Sequence, residues 1–308
     1  MITLPIRGII PPVVTPLISD NELDEQGLEK LINHLLEGGV HGLFLLGTTG
    51  EAPSLRYSLR ERFVKKACEL VRGRIPVMVG ITDASFNGSV EMAHACKEAG
   101  ADVVVVAPPF YFPITQTEMC RYLEELVPEL PLPLLLYNMP SHTKLHMSVE
   151  TVKHARDLGA VGIKDSSGDM LFLYDLIELF KKDPDFAVIA GVELFIPETI
   201  LQGGHGAIAG GANIFPRLFV EFYNASLQND KVRIDFLRQI IMKISQTIYN
   251  VSTFSSRFTV GIKCALAAMD ICSDYVARPL YIDEGVNREI VRHYVEEIKE
   301  MMNKAAFT

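Results

Sequence analysis

A lysine closes the apolar run Ala160-Val161-Gly162-Ile163-Lys164, and its chemistry depends on where that run lies. At the rim of an apolar core an ammonium is desolvated and loses its proton readily. The neutral amine can then attack a carbonyl to form a Schiff base. The same side chain could instead pair with Asp165 or extend its head into solvent, so its neighbours must decide. Tyr137 ends the run Leu134-Leu135-Leu136 and offers a phenol as proton donor and acceptor. Gly47-Thr48-Thr49-Gly50-Glu51 follows Leu45-Leu46; its glycines let the backbone approach a ligand, and its hydroxyls and N–H groups suit a carboxylate, although a helix-capping turn uses the same residue types. Tyr111 lies in the aromatic stretch Pro108-Pro109-Phe110-Tyr111-Phe112, which fits a cover over a site, a subunit contact or core. Gly191 and Gly210 end two further short runs and leave a small wall with space for substrate.

These residues need a scaffold that gathers them. Four segments share one pattern, in which a helix stops on small residues and a strand follows at once, with matching glycines at 39, 100, 159 and 204. Each gap between them leaves room for one more strand and helix, so the four read as alternate members of an eight-fold repeat. The remaining strands fall near Gly8 to Thr15, Ile75 to Ile81, Leu132 to Tyr137 and Phe186 to Ala190. Leu28, Leu31, Ile32, Leu35 and Leu36 form the stripe of an amphipathic helix with Asp24 as N-cap. Eight alternating units predict an α/β fold, a (β/α)8 TIM barrel over residues 1–227 with its site at the C-terminal strand ends. Residues 228–308 read as a C-terminal helical subdomain, with helices near Lys231 to Tyr249, Arg257 to Met269 and Val286 to Met302.

Composition narrows the function. The chain has 308 residues, is 48% hydrophobic and carries a formal charge of -9, which fits a large core and argues against sequence-independent binding to nucleic acid or anionic lipid. The five cysteines show no CxxC spacing and read as reduced thiols of a cytoplasmic protein. The apolar segment Met1 to Leu17 is interrupted by four prolines and has no basic region, so it reads as neither a signal peptide nor a membrane span. No metal site is expected, because His34, His94 and His154 fall on helices, His205 lies at the opposite end of the barrel, and His142 and His146 lack an acidic partner. Only Gly210 and Gly211 of the glycine-rich stretch 203–211 lie at the end that could cradle a phosphate. No GxSxG elbow is present.

The set Gly47-Thr48-Thr49-Gly50-Glu51, Tyr111, Tyr137-Asn138-Met139-Pro140 and Gly162-Ile163-Lys164-Asp165 resembles the dihydrodipicolinate synthase and N-acetylneuraminate lyase family. The likeness extends from Arg7-Gly8 to Arg278-Pro279. It implies a class I aldolase, a homotetramer built as a dimer of dimers, that takes pyruvate or another 2-oxo acid onto Lys164 with no cofactor beyond the covalent imine. It also implies that Tyr137 shuttles protons, that Thr48 links Tyr137 to a Tyr111 reaching in from a neighbouring subunit, and that Thr49 and backbone N–H groups beside Gly47 hold the carboxylate. Ile208 would line the pocket. Two departures stand out. Where synthases of the family place an arginine for the second substrate's carboxylate, this chain has His142 after Ser141. Ala52, Pro53, Tyr57, Arg60 and Phe110 stand where ligands of the family's lysine-feedback site are expected.

The leading expectation is a lyase that cleaves or forms a 4-hydroxy-2-oxo acid through a Lys164 Schiff base. The alternatives are a 4-hydroxy-tetrahydrodipicolinate synthase in which His142 or Lys144 replaces the arginine, and a non-catalytic 2-oxo acid sensor. The aldehyde half of the site is expected at His142, Asn213, the loop after Gly191 and the stretch Thr82 to Asn87.

Overall fold

The computed structural model describes residues 3–305; Met1 and Ile2 of the apolar N-terminal segment, and the last three residues of the expected helical subdomain, lie outside that range. Eight parallel strands form one sheet: β1 (Gly8–Ile9), β2 (Leu43–Leu45), β3 (Val77–Gly80), β4 (Val103–Val106), β5 (Leu134–Asn138), β6 (Gly162–Asp165), β7 (Ala187–Ala190) and β8 (Gly206–Ala207). The spatial order is β1-β8-β7-β6-β5-β4-β3-β2. The ring closes between β1 and β2 through the bridging pair Pro12 and Phe44, where the Phe44 N–H donates to Pro11 O and the Val13 N–H to Phe44 O. The result is the eight-fold TIM barrel that the glycine pattern predicts.

The barrel helices are α1 (Glu25–Glu37), α2 (Tyr57–Val71), α3 (Phe86–Ala99), α4 (Gln116–Leu126), α5 (Val149–Asp157), α6 (Met170–Phe180), α7 (Ile196–Gln202) and α8 (Pro216–Leu227). Helix α1 begins where expected, with the Asp24 carboxylate accepting from the Gly27 N–H at 2.8 Å. It buries Leu28, Leu31, Ile32 and Leu35. The helix stops at Gly39, Gly100 and Gly159 adopt the positive φ that glycine tolerates, but before β8 the left-handed residue is Gly203. The fourth stop therefore sits one residue earlier than the matched Gly204, whose N–H instead bonds to Thr199 O.

Strand alternation sorts the core into two sets. One face of each strand packs against the helices, as with Val104, Val106, Leu134, Leu136 and Ile163. The other fills the barrel interior with Val103, Val105, Leu135 and Tyr137, joined by Phe44, Ile189 and Ile208. Parity then places Lys164 inside, because Ile163 faces outward and Lys164 pairs in register with Tyr137. Beyond α8 the chain continues in α9 (Lys231–Gln246), α10 (Arg257–Ala268) and α11 (Arg288–Ala305). Residues of α9 and α10, and of the link between them, reach over the C-terminal mouth of the barrel. No helix among the described residues is long and apolar enough to cross a membrane.

Candidate active site

A cavity of about 800 Å³ opens at the C-terminal strand ends. Lys164 reaches it from β6 with 5% of its surface exposed. Its Nζ lies 4.0 Å from the centroid of the Tyr137 ring and 5.1 Å from that of Phe44. Burial pushes the ammonium below its ordinary value of 10.5, against an opposing pull from Tyr137. Asp165 does not pair with it. Alternation turns that carboxylate to the other face, where Asn138 Nδ2 donates to it at 2.7 Å and the Ser167 hydroxyl at 2.9 Å, and burial holds its carboxyl above the usual range. Unpaired with Asp165 and only 5% exposed, Lys164 is a largely desolvated amine at the wall of the cavity.

Across the cavity the turn after β2 brings Gly47, Thr48 and Thr49 to the wall. The Thr48 hydroxyl lies 3.3 Å from the Tyr137 hydroxyl. The turn is braced at its end, because the Thr15 hydroxyl donates to Gly50 O at 2.7 Å and the Glu51 N–H to Thr48 O. Ile208 lines the floor. Tyr111 is placed elsewhere: it is 85% exposed, has φ of 85°, and packs edge-on against Phe112 with centroids 5.0 Å apart. Its neighbour Phe110 lines the cavity, but Tyr111 itself does not, and no hydrogen bond joins it to Thr48.

Gly191 and Gly210 both line the cavity, yet protein fills the space their side chains would take. A Cβ on Gly191 would lie 1.9 Å from Ser166 Oγ and 2.8 Å from Asp165 O, and one on Gly210 would meet the Phe258 ring at 2.5 Å. Their smallness serves close packing of the wall as much as room for a ligand. Gly211 is no phosphate cradle, since its N–H donates to Glu193 Oε1 at 2.5 Å. Asn213, expected near the aldehyde, is instead fully buried and bonds backbone groups of Pro12, Val14 and Gly210; it ties the ends of β1 and β8 together. His142 sits on a single helical turn, Pro140–Thr143, with its ring at the cavity. Its Nδ1 lies 2.9 Å from Ser141 Oγ. Partial shielding and the Lys144 ammonium hold the imidazole below its ordinary 6.5, so it is neutral at neutral pH. Lys144 itself is exposed and does not line the cavity. Thr82 does, with its hydroxyl accepting from the Ala107 N–H at 2.8 Å.

Further residues complete the wall, Glu193 among them in the expected loop after Gly191. Glu193 lines the cavity, and burial raises its carboxyl above the usual range. Tyr249 donates to it at 2.9 Å. Glu193 lies three residues beyond the end of β7, in the loop expected to face the aldehyde. Ser255, Ser256 and Thr259, at the start of α10, add hydroxyls to the outer wall. Glu51 forms a fully enclosed ion pair with Lys263 of α10, and removing one partner of such a pair costs about 3–5 kcal/mol. Among the described residues no cluster of His, Cys, Asp and Glu has the grouping of a metal site.

Comparison with known proteins matches this geometry. Residues 5–298 fit the model of the Dihydrodipicolinate synthetase family. The structure of dihydrodipicolinate synthase from Bacteroides thetaiotaomicron superposes with a TM-score of 0.93 at 44% identity, covering 96% of this chain and 100% of that one. YagE from Escherichia coli K12, solved in complex with pyruvate, superposes with a TM-score of 0.88 at 30% identity over 96% of this chain and 99% of its own; it is provisionally named a 2-dehydro-3-deoxy-D-gluconate aldolase. The 4-hydroxy-tetrahydrodipicolinate synthase of Protochlamydia amoebophila is 29% identical over 94% of this chain and 99% of its own.

Proposed function

Because the chain belongs to the dihydrodipicolinate synthetase family, we propose that Lys164 carries the Schiff base of its chemistry and Tyr137 moves the protons. The protein is a pyruvate-dependent class I aldolase or synthase of that family. The observation that carries the assignment of residues is the placement of the buried Lys164 amine beside the Tyr137 phenol in one cavity. The neutral amine adds to the C2 carbonyl of a 2-oxo acid, and Tyr137 gives its phenol proton to the departing hydroxyl, so that water leaves and a protonated imine and a Tyr137 phenolate remain. In the cleavage direction Tyr137, hydrogen-bonded to Thr48, takes the proton of the C4 hydroxyl, the C3–C4 bond breaks, and its electron pair passes into the imine to give an enamine. Proton return to C3 and addition of water release pyruvate and restore Lys164. Thr49 and the N–H groups beside Gly47 hold the carboxylate, and Ile208 packs against the carbon chain. Borohydride reduction in the presence of pyruvate, followed by peptide mass spectrometry, tests this; an unmodified Lys164 would refute it.

The second substrate is read from the outer cavity. Among the described residues that line it none is an arginine, His142 is neutral, and Glu193 together with the hydroxyls of Ser255, Ser256 and Thr259 faces inward. Such a wall suits an uncharged, hydroxylated aldehyde better than one bearing a second carboxylate. The leading reading is therefore cleavage or formation of a 4-hydroxy-2-oxo acid. The likeness to the Bacteroides thetaiotaomicron synthase supports the other, condensation of pyruvate with aspartate semialdehyde. Relative kcat/KM for aspartate semialdehyde and for a panel of hydroxylated aldehydes separates them.

The exposed Tyr111–Phe112 pair supports a homotetramer in which Tyr111 reaches Thr48 of an adjacent subunit. Sedimentation analysis would refute it by finding a monomer of full activity. A cytoplasmic location fits the five unpaired cysteines, and residues 228–308 are read as a helical subdomain that completes the mouth of the site.

A further inference from the structure

The turn that faces Lys164 is anchored from outside the barrel. Glu51, its last residue, has φ of 58°, a left-handed conformation that only glycine adopts without penalty. A glycine there would lack the carboxylate, and the carboxylate is what the position uses. It pairs with Lys263 of α10, both side chains being wholly enclosed, and its Oε2 accepts from the Ala277 N–H at 2.6 Å. Lys263 Nζ also donates to Tyr275 O at 2.7 Å. The pair thus pins the acid-binding turn to α10 and to the segment that follows it; Glu51 borders the cavity, but its carboxylate is wholly enclosed and taken up by Lys263 and the Ala277 N–H.

We infer that Glu51 and Lys263 are positioning residues that set the affinity for the 2-oxo acid by holding Thr48 and Thr49 at a fixed distance from Tyr137 and Lys164. The inference rests on the Lys164 Schiff-base assignment. Small misplacements of binding groups are costly in such sites, so loosening the anchor weakens capture of the acid and leaves Lys164 chemically intact. A structural role alone predicts a different outcome, namely less folded protein with unchanged affinity.

The test is borohydride trapping of pyruvate on the full chain across a range of pyruvate concentrations, at a temperature well below the unfolding midpoint of each variant. Glu51→Gln and Lys263→Met are expected to raise the half-saturating pyruvate concentration on the order of tenfold, with the plateau of adduct on Lys164 preserved. Glu51→Asp keeps the charge and shortens the reach by one carbon, so it should fold and show a smaller rise. An unchanged half-saturation in folded Glu51→Asp or Glu51→Gln, with any loss confined to the plateau, would overturn the inference. A wild-type chain that traps no adduct would remove the Schiff-base assignment and this inference with it, an outcome distinct from a wild type that traps normally beside variants that do not shift.

Discussion

Tyr137 and Lys164 are register partners on adjacent strands, and the Lys164 amine rests 4.0 Å from the centroid of the Tyr137 ring. Backbone pairing thus fixes the spacing between amine and phenol, whereas loop-borne groups would have to be ordered separately. Both side chains lie in one inward-facing layer of the barrel, so neither can be shifted alone without disturbing the ladder that positions the other.

Replacing Tyr137 with Phe should separate imine formation from the proton steps. Loss of a positioned proton donor and acceptor is expected to lower kcat by about 10²–10⁴-fold, while the borohydride adduct on Lys164 persists. Thr48→Val, which removes only the 3.3 Å contact to the phenol, should cost less. Steady-state kinetics beside adduct mass spectrometry checks both; equal losses in the two variants would contradict the order of roles.

The amine of Lys164 is held below its ordinary value of 10.5 by burial, and this sets the sign of a pH profile. Below its folded value the group is a non-nucleophilic ammonium, so imine formation at subsaturating pyruvate should rise with pH through a limb lying below 10.5. Stability follows the same direction. The unfolded chain binds the additional proton between the two values, so the contribution is lost as pH falls through the folded one. Stopped-flow trapping across pH reads the limb, and a limb at or above 10.5 would contradict the placement.

At the opposite end of the barrel His41 Nδ1 accepts from the Ile9 N–H and His205 Nδ1 from the Val188 N–H, each at 3.1 Å. Burial depresses both imidazoles below 6.5, with Arg7 adding repulsion at His205. Their stabilising effect is complete above the unfolded value and disappears as pH drops through the folded ones. Thermal unfolding should therefore shift downward between about pH 7 and 5. The double variant His41→Asn, His205→Asn, which offers non-titrating acceptors, should flatten that slope.

Exchanging His142 for arginine tests what the outer cavity selects. A guanidinium at this position supplies a fork for a second carboxylate, so His142→Arg should raise kcat/KM for aspartate semialdehyde relative to a neutral hydroxylated aldehyde by roughly tenfold or more. A ratio that does not move would show that this side chain takes no part in the choice.

The repeat and the inner face of the site were legible in the sequence because both follow short-range rules. Glycine stops mark where helices turn into strands, and period-two alternation puts Tyr137 and Lys164 on one side. The first strand was less legible: the apolar stretch continues to Thr15, but Pro11 and Pro12 have no N–H to offer, so the regular strand ends at Ile9 and the backbone bonding beyond it runs through Ile10, Pro11 and Val13. The loop holding Glu193 was expected at the site, but its pairing with Tyr249, like that of Lys263 with Glu51, was not legible because the partners are far away in sequence. Asn213 looked like a ligand-facing residue and proved to be a backbone clamp, since one polar side chain after a glycine pair gives no sign of which groups it will satisfy.

The join between β1 and β2 has one bridging pair, Pro12 and Phe44, and backbone bonds from the N–H groups of His41, Phe44 and Val13, whereas β5 and β6 share four register pairs from Leu135 and Gly162 to Asn138 and Asp165. In a ring of eight staves these two junctions are diametrically opposed. The strand bearing Lys164 is therefore the one with four register pairs on each side, and the join with a single bridging pair lies across the ring from it. Lys164 and the Tyr137 phenol thus sit where the hoop is most fully laddered, on the side away from its seam.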